Sequence, residues 1–196
     1  MNRFAHTGRG DFSGFKKRSN GMFSVGEYIV YGTTGVCRIE SVGPMQMSGV
    51  SKEKLYYTLA PLYSKGSKVF IPVDNDKVIM RPVLTKEEAQ ALVEEIPKIE
   101  LLWVADEKRR EDIYKTALRT CDCEEWIKII KTLYLRKMSR IAEGKKVTVS
   151  DGKYLHMAEE RLYEELGLAL EMDKDEVIEY ITQHVEKSEE VSVEYV

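Results

Sequence analysis

Cysteine and histidine are scarce in this sequence, which has three of each among 196 residues. Three cysteines in a chain of this length argue against a disulfide scaffold and suit a reducing cytoplasm. Cys121 and Cys123 have one residue between them, whereas thiolate pairs on zinc usually have two or more, and no second pair completes the set. The sequence therefore predicts no metal site and no cofactor.

Long apolar runs and enzyme signatures are also missing. No stretch approaches the ~18 apolar residues that cross a bilayer, and no apolar secretion signal stands near the start. There is no Gly-x-x-x-x-Gly-Lys-Ser/Thr phosphate loop, no His-Glu-x-x-His and no Gly-x-Ser-x-Gly. We expect a cytoplasmic protein that is not an enzyme, with no catalytic residue, no small-molecule substrate and no membrane partner.

An excess of positive charge is lacking too, because the formal net charge is −3. Residues 1–21 hold five basic residues and one acidic residue, so the rest of the chain carries −7. A protein this acidic is not expected to hold DNA by overall attraction. Contact with DNA needs a local patch or a partner that already holds the DNA. Residues 1–21 are predicted to be a disordered leader or tag, with a native basic arm that touches nucleic acid as the alternative.

Alternating apolar and polar residues predict five short strands in the first part of the chain. They are Val25–Val30, Val36–Ile39, Leu55–Leu59, Lys68–Ile71 and Val78–Arg81. Gly32 and Gly35 can take the positive φ that a sharp turn after the first strand needs, and a loop is predicted from Ser41 to Lys54. So many short strands over residues 22–84 predict a small, strongly bent β-barrel of the Tudor/SH3-like kind.

From Thr85 onward the pattern becomes helical. Thr85 and Glu88 form a capping-box pattern. Further helices are predicted at Asp106–Leu118, at Cys123–Ala142 as the longest, after a cap at Ser150 or Asp151, and after a cap at Asp173. The long helix is expected to bury Trp126, Ile127, Ile130, Leu133, Tyr134 and Ile141. The predicted fold class is α+β, with the barrel at 22–84, an all-α domain at 85–185 and a flexible acidic tail at 186–196.

Trp103 stands just ahead of a helix whose first turns carry Lys108, Arg109 and Arg110. Positive charge near a helix N-terminus opposes the helix dipole, so stability alone does not explain these bases. A phosphate partner would explain them, because an indole can stack on or displace a base while Lys and Arg hold the adjacent phosphates. The alternative is that Trp103 packs into the domain interface beneath Ile99 and Leu102.

A second group of bases lies on and after the long helix. Arg136 and Arg140 are one turn apart and share a face, and Lys153 follows in the next helix. The sequence leaves two interpretations of this group: a row of bases that contacts DNA phosphates, or a solvated helix face. The paired carboxylates Glu164 and Glu165 are expected on a solvated helix face.

The strand Lys68–Ile71 is the leading candidate for an exposed sheet edge. Such an edge offers unpaired backbone donors and acceptors to a partner strand. Tyr56 and Tyr57 are its candidate neighbours.

The opening of the first hairpin carries an ordered string of residues with a known counterpart. The string is Phe23, Val25-Gly26-Glu27, Ile29-Val30-Tyr31-Gly32 and Gly35-Val36. It resembles the start of the bacterial CarD/CdnL family of transcription regulators, a start shared by the polymerase-interaction module of the transcription–repair coupling factor. The resemblance continues to about His184 and implies the same Tudor/SH3-like domain.

The resemblance implies that the β-domain docks on a lobe of the RNA polymerase β subunit. Family members use arginines on these strands where this sequence has Met45 and Phe70, so the predicted contact is more apolar or uses Lys54 and Lys68. The predicted polymerase-binding residues are Lys54, Tyr56, Lys68 and Phe70.

The resemblance also implies a tryptophan of the helical domain that wedges into the minor groove at the upstream edge of the transcription bubble. Trp103 with Arg109 and Arg110 is the nearest match, while the family position falls nearer Glu107. Lys153 lies near a further position that contacts DNA in the family. The predicted DNA-binding residues are Trp103, Lys108, Arg109, Arg110, Arg136, Arg140 and Lys153.

The predicted function is regulation of transcription, with the RNA polymerase β subunit and promoter DNA as partners. The protein would stabilise the open promoter complex, contact DNA without sequence specificity and sit on the nucleoid through polymerase. One alternative is a module that docks on polymerase without touching DNA. Another is an independent repressor with a helix-turn-helix, against which the charge of −7 argues.

Overall fold

The computed structural model describes residues 22–45, 53–64 and 66–193. The leader predicted at residues 1–21 and the middle of the loop predicted after Ser41 lie outside these ranges. No helix within the described ranges is long and apolar enough to cross a membrane.

Five antiparallel strands form one sheet in the order β4-β3-β2-β1-β5. Their bounds are Tyr28–Tyr31 for β1, Gly35–Pro44 for β2, Leu55–Pro61 for β3, Val69–Pro72 for β4 and Met80–Pro82 for β5. Gly32 and Gly35, with φ of +44° and +90°, make the predicted turn between β1 and β2. A Cβ on Gly35 would also lie 2.8 Å from the carboxylate of Glu164, so a side chain there would displace that carboxylate as well as strain the backbone.

The predicted strands differ from the observed ones at their ends. The first strand begins at Tyr28 rather than Val25, because residues 25 and 26 turn and the amide of Gly26 bonds the carbonyl of Ile39. β2 continues to Pro44 through a bulge at Ile39–Ser41, into the segment predicted as a loop. The last strand is Met80–Pro82 rather than Val78–Arg81.

The sheet is open, so the α+β class is confirmed and the closed Tudor/SH3-like barrel is not. Within the described residues β4 and β5 are the two edges of the sheet and do not pair with each other. Alternate residues of β1 and β2 face different cores: Ile29 and Cys37 pack within the bent sheet, while Val30 and Val36 pack against the helices. The helices cover one face of the sheet, so that face is buried although the sheet does not close into a barrel.

The helices follow the sheet in sequence. Their bounds are Lys86–Glu95 for α1, Arg110–Arg119 for α2, Cys123–Ala142 for α3, Val149–Leu170 for α4 and Lys174–Val193 for α5. Short 3-10 turns occupy Ile96–Lys98 and Glu107–Arg109. The predicted capping box of Thr85 and Glu88 is confirmed, with both hydrogen bonds formed.

Several predictions for the helices need correction. Thr148, not Ser150 or Asp151, caps α4, and its hydroxyl accepts from the amide of Asp151. α4 has 22 residues and α3 has 20, so α3 is not the longest helix. The last helix reaches Val193, so the chain predicted as a tail from residue 186 is helical to that point.

The buried face of α3 is shorter than its apolar pattern indicates. Trp126, Ile127 and Leu133 are buried as predicted, but Tyr134 and Ile141 are exposed. The C-terminal half of α3 still contacts the start of α4, where Arg136 bonds Asp151, so the periodicity alone does not show which of its apolar side chains are covered.

The sheet and the helices share an apolar core. Val30 and Val36 of the sheet and Leu84 of the connection pack in one cluster with the first four helices. The predicted division into residues 22–84 and 85–185 therefore separates two segments that bury apolar surface against each other.

Candidate functional site

The β4 edge of the sheet carries the residues predicted to bind polymerase. β4 pairs along β3 only within the described chain, with Phe70 opposite Thr58 and Pro72 opposite Tyr56. Opposed residues share a face and alternate residues return to it, so Tyr56, Thr58 and Phe70 lie on one side. Phe70 is 46% exposed. We call Tyr56, Thr58 and Phe70 the edge face.

Tyr57 is a neighbour of this edge strand as predicted, opposite Ile71, but its side chain lies on the other side of β3. Its side chain is buried with Leu59 and Ile71 in the core of the sheet, and its hydroxyl accepts from the amide of Phe23 at 2.9 Å. The alternation of the strand sends Tyr56 and Tyr57 to different faces.

Two lysines flank the edge face. Lys54 Nζ lies 3.1 Å from Asp74 Oδ2, and Lys68 Nζ lies 2.9 Å from Glu40 Oε2. All four side chains are substantially exposed. Exposed ion pairs contribute only about 0–1 kcal/mol, so either lysine can exchange its partner for a carboxylate of another protein at little cost.

Trp103 is 80% exposed, so the alternative in which it packs between the domains is wrong. It lies in a non-helical stretch between the two 3-10 turns, residues 99–106, which we call the tryptophan segment. Leu102 and Val104, on either side of Trp103, are half-buried against the helical core. Trp126, the second tryptophan, is fully buried in α3 as predicted.

Lys108 and Arg109 stand exposed directly after the tryptophan segment. The side chain of Asp106 caps this turn by accepting from the amide of Lys108 at 2.9 Å. That carboxylate offsets part of the unfavourable effect of two bases at a helix start. Neither base forms an ion pair within the described part of the chain.

Arg110 and Arg136 are held by two carboxylates. Arg136 bonds Asp151 through Nε at 3.0 Å and Glu107 through its Nη atoms at 3.0 Å each. Arg110 lies 3.2 Å from Glu107 Oε2 and 3.4 Å from Asp151 Oδ1. Asp151 is buried. Both arginines, predicted to bind DNA, therefore neutralise a carboxylate inside the fold.

Arg140 and Lys153 are also engaged in part. Arg140 Nε donates to the carbonyl of Lys146 at 2.9 Å. The exposed Lys153 has its Nζ 5.7 Å from the ring centre of Tyr154, a favourable but weak contact for a solvated ammonium group.

A buried polar cluster that the sequence reasoning missed joins the sheet to the helices. Arg81 of β5 forms a two-point ion pair with Glu165 of α4, and Glu165 also accepts from the thiol of Cys123 at 3.2 Å. The prediction that Glu165 lies on a solvated face is wrong, and Glu164 is half-buried. A signal was available, because Glu165 follows Leu162 by three residues and precedes Leu166 on the apolar side of the helix.

All three cysteines are buried and free of disulfides. Burial raises the pKa of Cys37 to about 11. Burial also raises the pKa of Cys121, and it raises that of Cys123 strongly, with the Glu165 carboxylate adding to the effect. Thiols in this state are protonated near neutral pH and are poor nucleophiles and metal ligands. Across the described ranges, no group of three or more His, Cys, Asp or Glu side chains could hold a metal ion.

Comparison with known families identifies the sheet. The model of the CarD-like/TRCF RID domain matches residues 23–84, from the start of the first turn to the residue before the cap of α1. Domains of this family interact with the RNA polymerase β subunit. No curated protein matches the chain. The resemblance predicted from the opening hairpin is confirmed for this range, over which the chain is similar to the CarD-like/TRCF RID domain.

Proposed function

We propose that this protein regulates transcription by binding the RNA polymerase β subunit through its sheet and promoter DNA through its helical part. Trp103, Lys108 and Arg109 would contact the minor groove at the upstream edge of the transcription bubble, without sequence specificity. The contact would stabilise the open promoter complex. The exposure of Trp103 carries the proposal, because an indole that is 80% exposed buries little surface in the core and stands beside two bases that form no ion pair in the described ranges.

The edge face supports the polymerase contact. A sheet edge can add a strand of the partner, with backbone hydrogen bonds supplying affinity and side chains supplying specificity. Phe70 provides an apolar anchor, and Lys54 and Lys68 provide charges that can change partners. The partner surface for this arrangement is an exposed strand with an apolar pocket and nearby carboxylates.

The tryptophan segment supports the DNA contact. Aromatic and apolar wedges enter the minor groove between base steps and are accompanied by cations on the adjacent phosphates. Because the chain from residue 22 onward carries −7, this contact would be weak without polymerase. Polymerase holds the DNA, and the protein adds a local contact at the point where base pairs open.

The effect on transcription follows from differential binding. A protein that binds the open complex better than the closed complex raises the open fraction by that difference in affinity and no more. A coupling of about 1–3 kcal/mol corresponds to roughly 5- to 150-fold. No catalytic step is part of the proposal, and the buried thiols supply no nucleophile.

A second function has one observation in its favour. Arg110 and Arg136 are bound to Glu107 and Asp151, which leaves fewer bases for phosphates than the sequence indicates. This favours a module that docks on polymerase without touching DNA.

The lifetime of the open complex, measured with the full chain, polymerase and a promoter fragment under competitor challenge, separates the two functions. We expect Trp103→Ala to lose most of the increase in lifetime while its affinity for the β subunit stays unchanged. Leu101→Ala is the control, because Leu101 is an exposed apolar residue of the same segment. If Trp103→Ala prolongs the open complex as well as the unchanged protein does, the DNA contact is wrong and the docking module stands.

A further inference from the structure

We propose that Lys131 and Thr132 of α3 are positioning residues that hold the tryptophan segment in the register that turns Trp103 outward. The inference rests on the proposed function for its biological meaning. Structurally, the two residues keep the non-helical tryptophan segment in one conformation.

Lys131 binds the turn that precedes the segment and the segment's first residue, Ile99. Its Nζ donates to the carbonyls of Ile96 at 3.0 Å, Pro97 at 3.2 Å and Ile99 at 2.5 Å. Carbonyls at the end of a helix have no partner within the helix and carry partial negative charge. An ammonium group has three donors, and all three are used here, in charge-assisted bonds that are stronger than neutral ones.

Thr132 binds the segment next to Trp103 itself. The amide of Leu102 donates to Thr132 Oγ1 at 2.8 Å. The two residues are separated by 30 positions in the chain, so this bond joins the segment to α3 directly. Leu102 is thereby fixed by its backbone as well as by its half-buried side chain.

The exposure along the segment alternates with a period of two. Leu101 and Trp103 are exposed, whereas Leu102 and Val104 are half-buried against the core. In an extended chain a shift of one residue exchanges the two faces. Such a shift would bury Trp103 and expose Leu102 and Val104. A bulky indole competes well for a buried position, so a bond that fixes the backbone at Leu102 is what keeps Trp103 in solvent.

The test uses four variants of the full chain. Thr132→Val keeps the shape of the side chain and removes the hydroxyl, whereas Thr132→Ser keeps the hydroxyl. Lys131→Met keeps the apolar stem and removes the ammonium group. Lys128→Met is the matched control, because Lys128 lies one turn earlier on α3 and pairs with Glu124 and Glu125 instead of the segment.

The first readout is the fluorescence anisotropy and acrylamide quenching of Trp103, with the Trp103→Ala protein supplying the background of the buried Trp126. We expect Thr132→Val and Lys131→Met to change both signals, and Thr132→Ser and Lys128→Met to leave them as in the unchanged protein. The second readout is open-complex lifetime. Loss of one such hydrogen bond corresponds to roughly a two- to tenfold effect, so we expect lifetimes between those of the unchanged protein and Trp103→Ala.

The outcomes separate this inference from the proposed function. If Trp103 fluorescence in Thr132→Val and Lys131→Met matches that of the unchanged protein, the two residues do not position the segment and the inference is wrong. If Trp103→Ala leaves the open-complex lifetime unchanged, the proposed function fails, while the fluorescence still decides the role of Lys131 and Thr132. Rescue by Thr132→Ser in both readouts would assign the effect to the hydroxyl.

Discussion

The guanidinium of Arg81 and the carboxylate of Glu165 meet 84 residues apart in sequence, with Nη2 2.7 Å from Oε2 and Nη1 bonded to Oε1. Arg81 is 3% exposed and Glu165 is fully buried. Glu165 also accepts from the amide of Leu84 at 3.0 Å, and Arg81 Nε donates to the carbonyl of Cys121. The pair thus joins the last strand, the connection to α1, the connection between α2 and α3, and α4 at one point.

We expect Arg81→Met to lower the free energy of unfolding by about 3–5 kcal/mol, because it leaves the Glu165 carboxylate buried without its countercharge. The double variant Arg81→Met/Glu165→Met should be more stable than Arg81→Met, since no unpaired charge is left inside. Urea unfolding followed by circular dichroism measures both values. A loss below about 1 kcal/mol for Arg81→Met would contradict a structural role of the pair.

Residues 22–84 in isolation should unfold far more easily than the full chain. Val30, Val36 and Leu84 pack against the helices, and removal of the helices would expose them together with the charge of Arg81. Thermal unfolding followed by circular dichroism should show no cooperative transition for the fragment, or one well below that of the full chain. A fragment that melts at the temperature of the full chain would show that the shared core adds nothing to the sheet.

Stability should depend on pH through Glu164. The carboxylate lies between α4 and the turn before β2, where burial raises its pKa to about 7. Arg161, the amide of Val36 and Lys174 act in the opposite direction, and Glu160 adds to the rise. The folded chain holds this proton more tightly than the unfolded chain, so this contribution is complete below pH ~4.5 and is lost as pH rises to about 7.

Glu164→Gln tests this pH dependence, because the amide keeps an acceptor for Val36 and does not titrate. The unchanged protein should lose stability relative to Glu164→Gln as pH rises from 4.5 to 7. The difference between their free energies of unfolding should then level off. Solvent screening of a half-buried group reduces the full value to about 1–2 kcal/mol. Urea unfolding at a series of pH values gives the difference. A difference that does not vary with pH would rule out Glu164 as its source.

The bases near the tryptophan segment should divide into two functional groups. Lys108→Ala/Arg109→Ala should leave stability within about 0.5 kcal/mol, since both side chains are exposed. It should also shorten the lifetime of the open complex. The increase in lifetime that the protein produces should then depend less on salt concentration. Arg110→Ala/Arg136→Ala should instead cost about 1–3 kcal/mol of stability, because Asp151 is left buried without partners. Urea unfolding and open-complex lifetimes, measured on both variants, give the two quantities. Equal losses of stability would contradict this division.

Phe70→Arg should weaken binding to the β subunit by roughly tenfold, the size of effect typical of an apolar anchor near the centre of an interface. Tyr63→Arg is the control, because Tyr63 is an exposed aromatic residue outside β4. Titration calorimetry of the full chain with purified β lobe measures the affinity. Unchanged binding of Phe70→Arg would move the contact away from the edge face.

The open-complex and binding experiments test the two parts of the proposed function independently of each other. In the proposed function, polymerase binding depends on the edge face and the DNA effect depends on the tryptophan segment, and the two surfaces share no residue. Loss of one effect with retention of the other would assign each surface to one partner.

The sequence by itself determined the features that depend on neighbouring residues. The bounds of α3 agree with the prediction at both ends, and the reciprocal caps of Thr85–Glu88 and Asp173–Glu176 form as expected. The turn at Gly32 and Gly35 also follows from the sequence. In each case the deciding contacts lie within four residues, so the local pattern contains the needed information.

Only the tertiary structure decided which distant groups meet. The open sheet, the exposure of Trp103 and the burial of Glu165 depend on how the helices pack on one face of the sheet. Arg136 is bound to Glu107 and Asp151, which lie 29 and 15 positions away, and no periodicity distinguishes it from Lys108 and Arg109, which form no ion pair with any described residue. The physical reason is that burial and charge pairing depend on distances in space, whereas helical and strand periodicity report only which side of its own element a residue occupies.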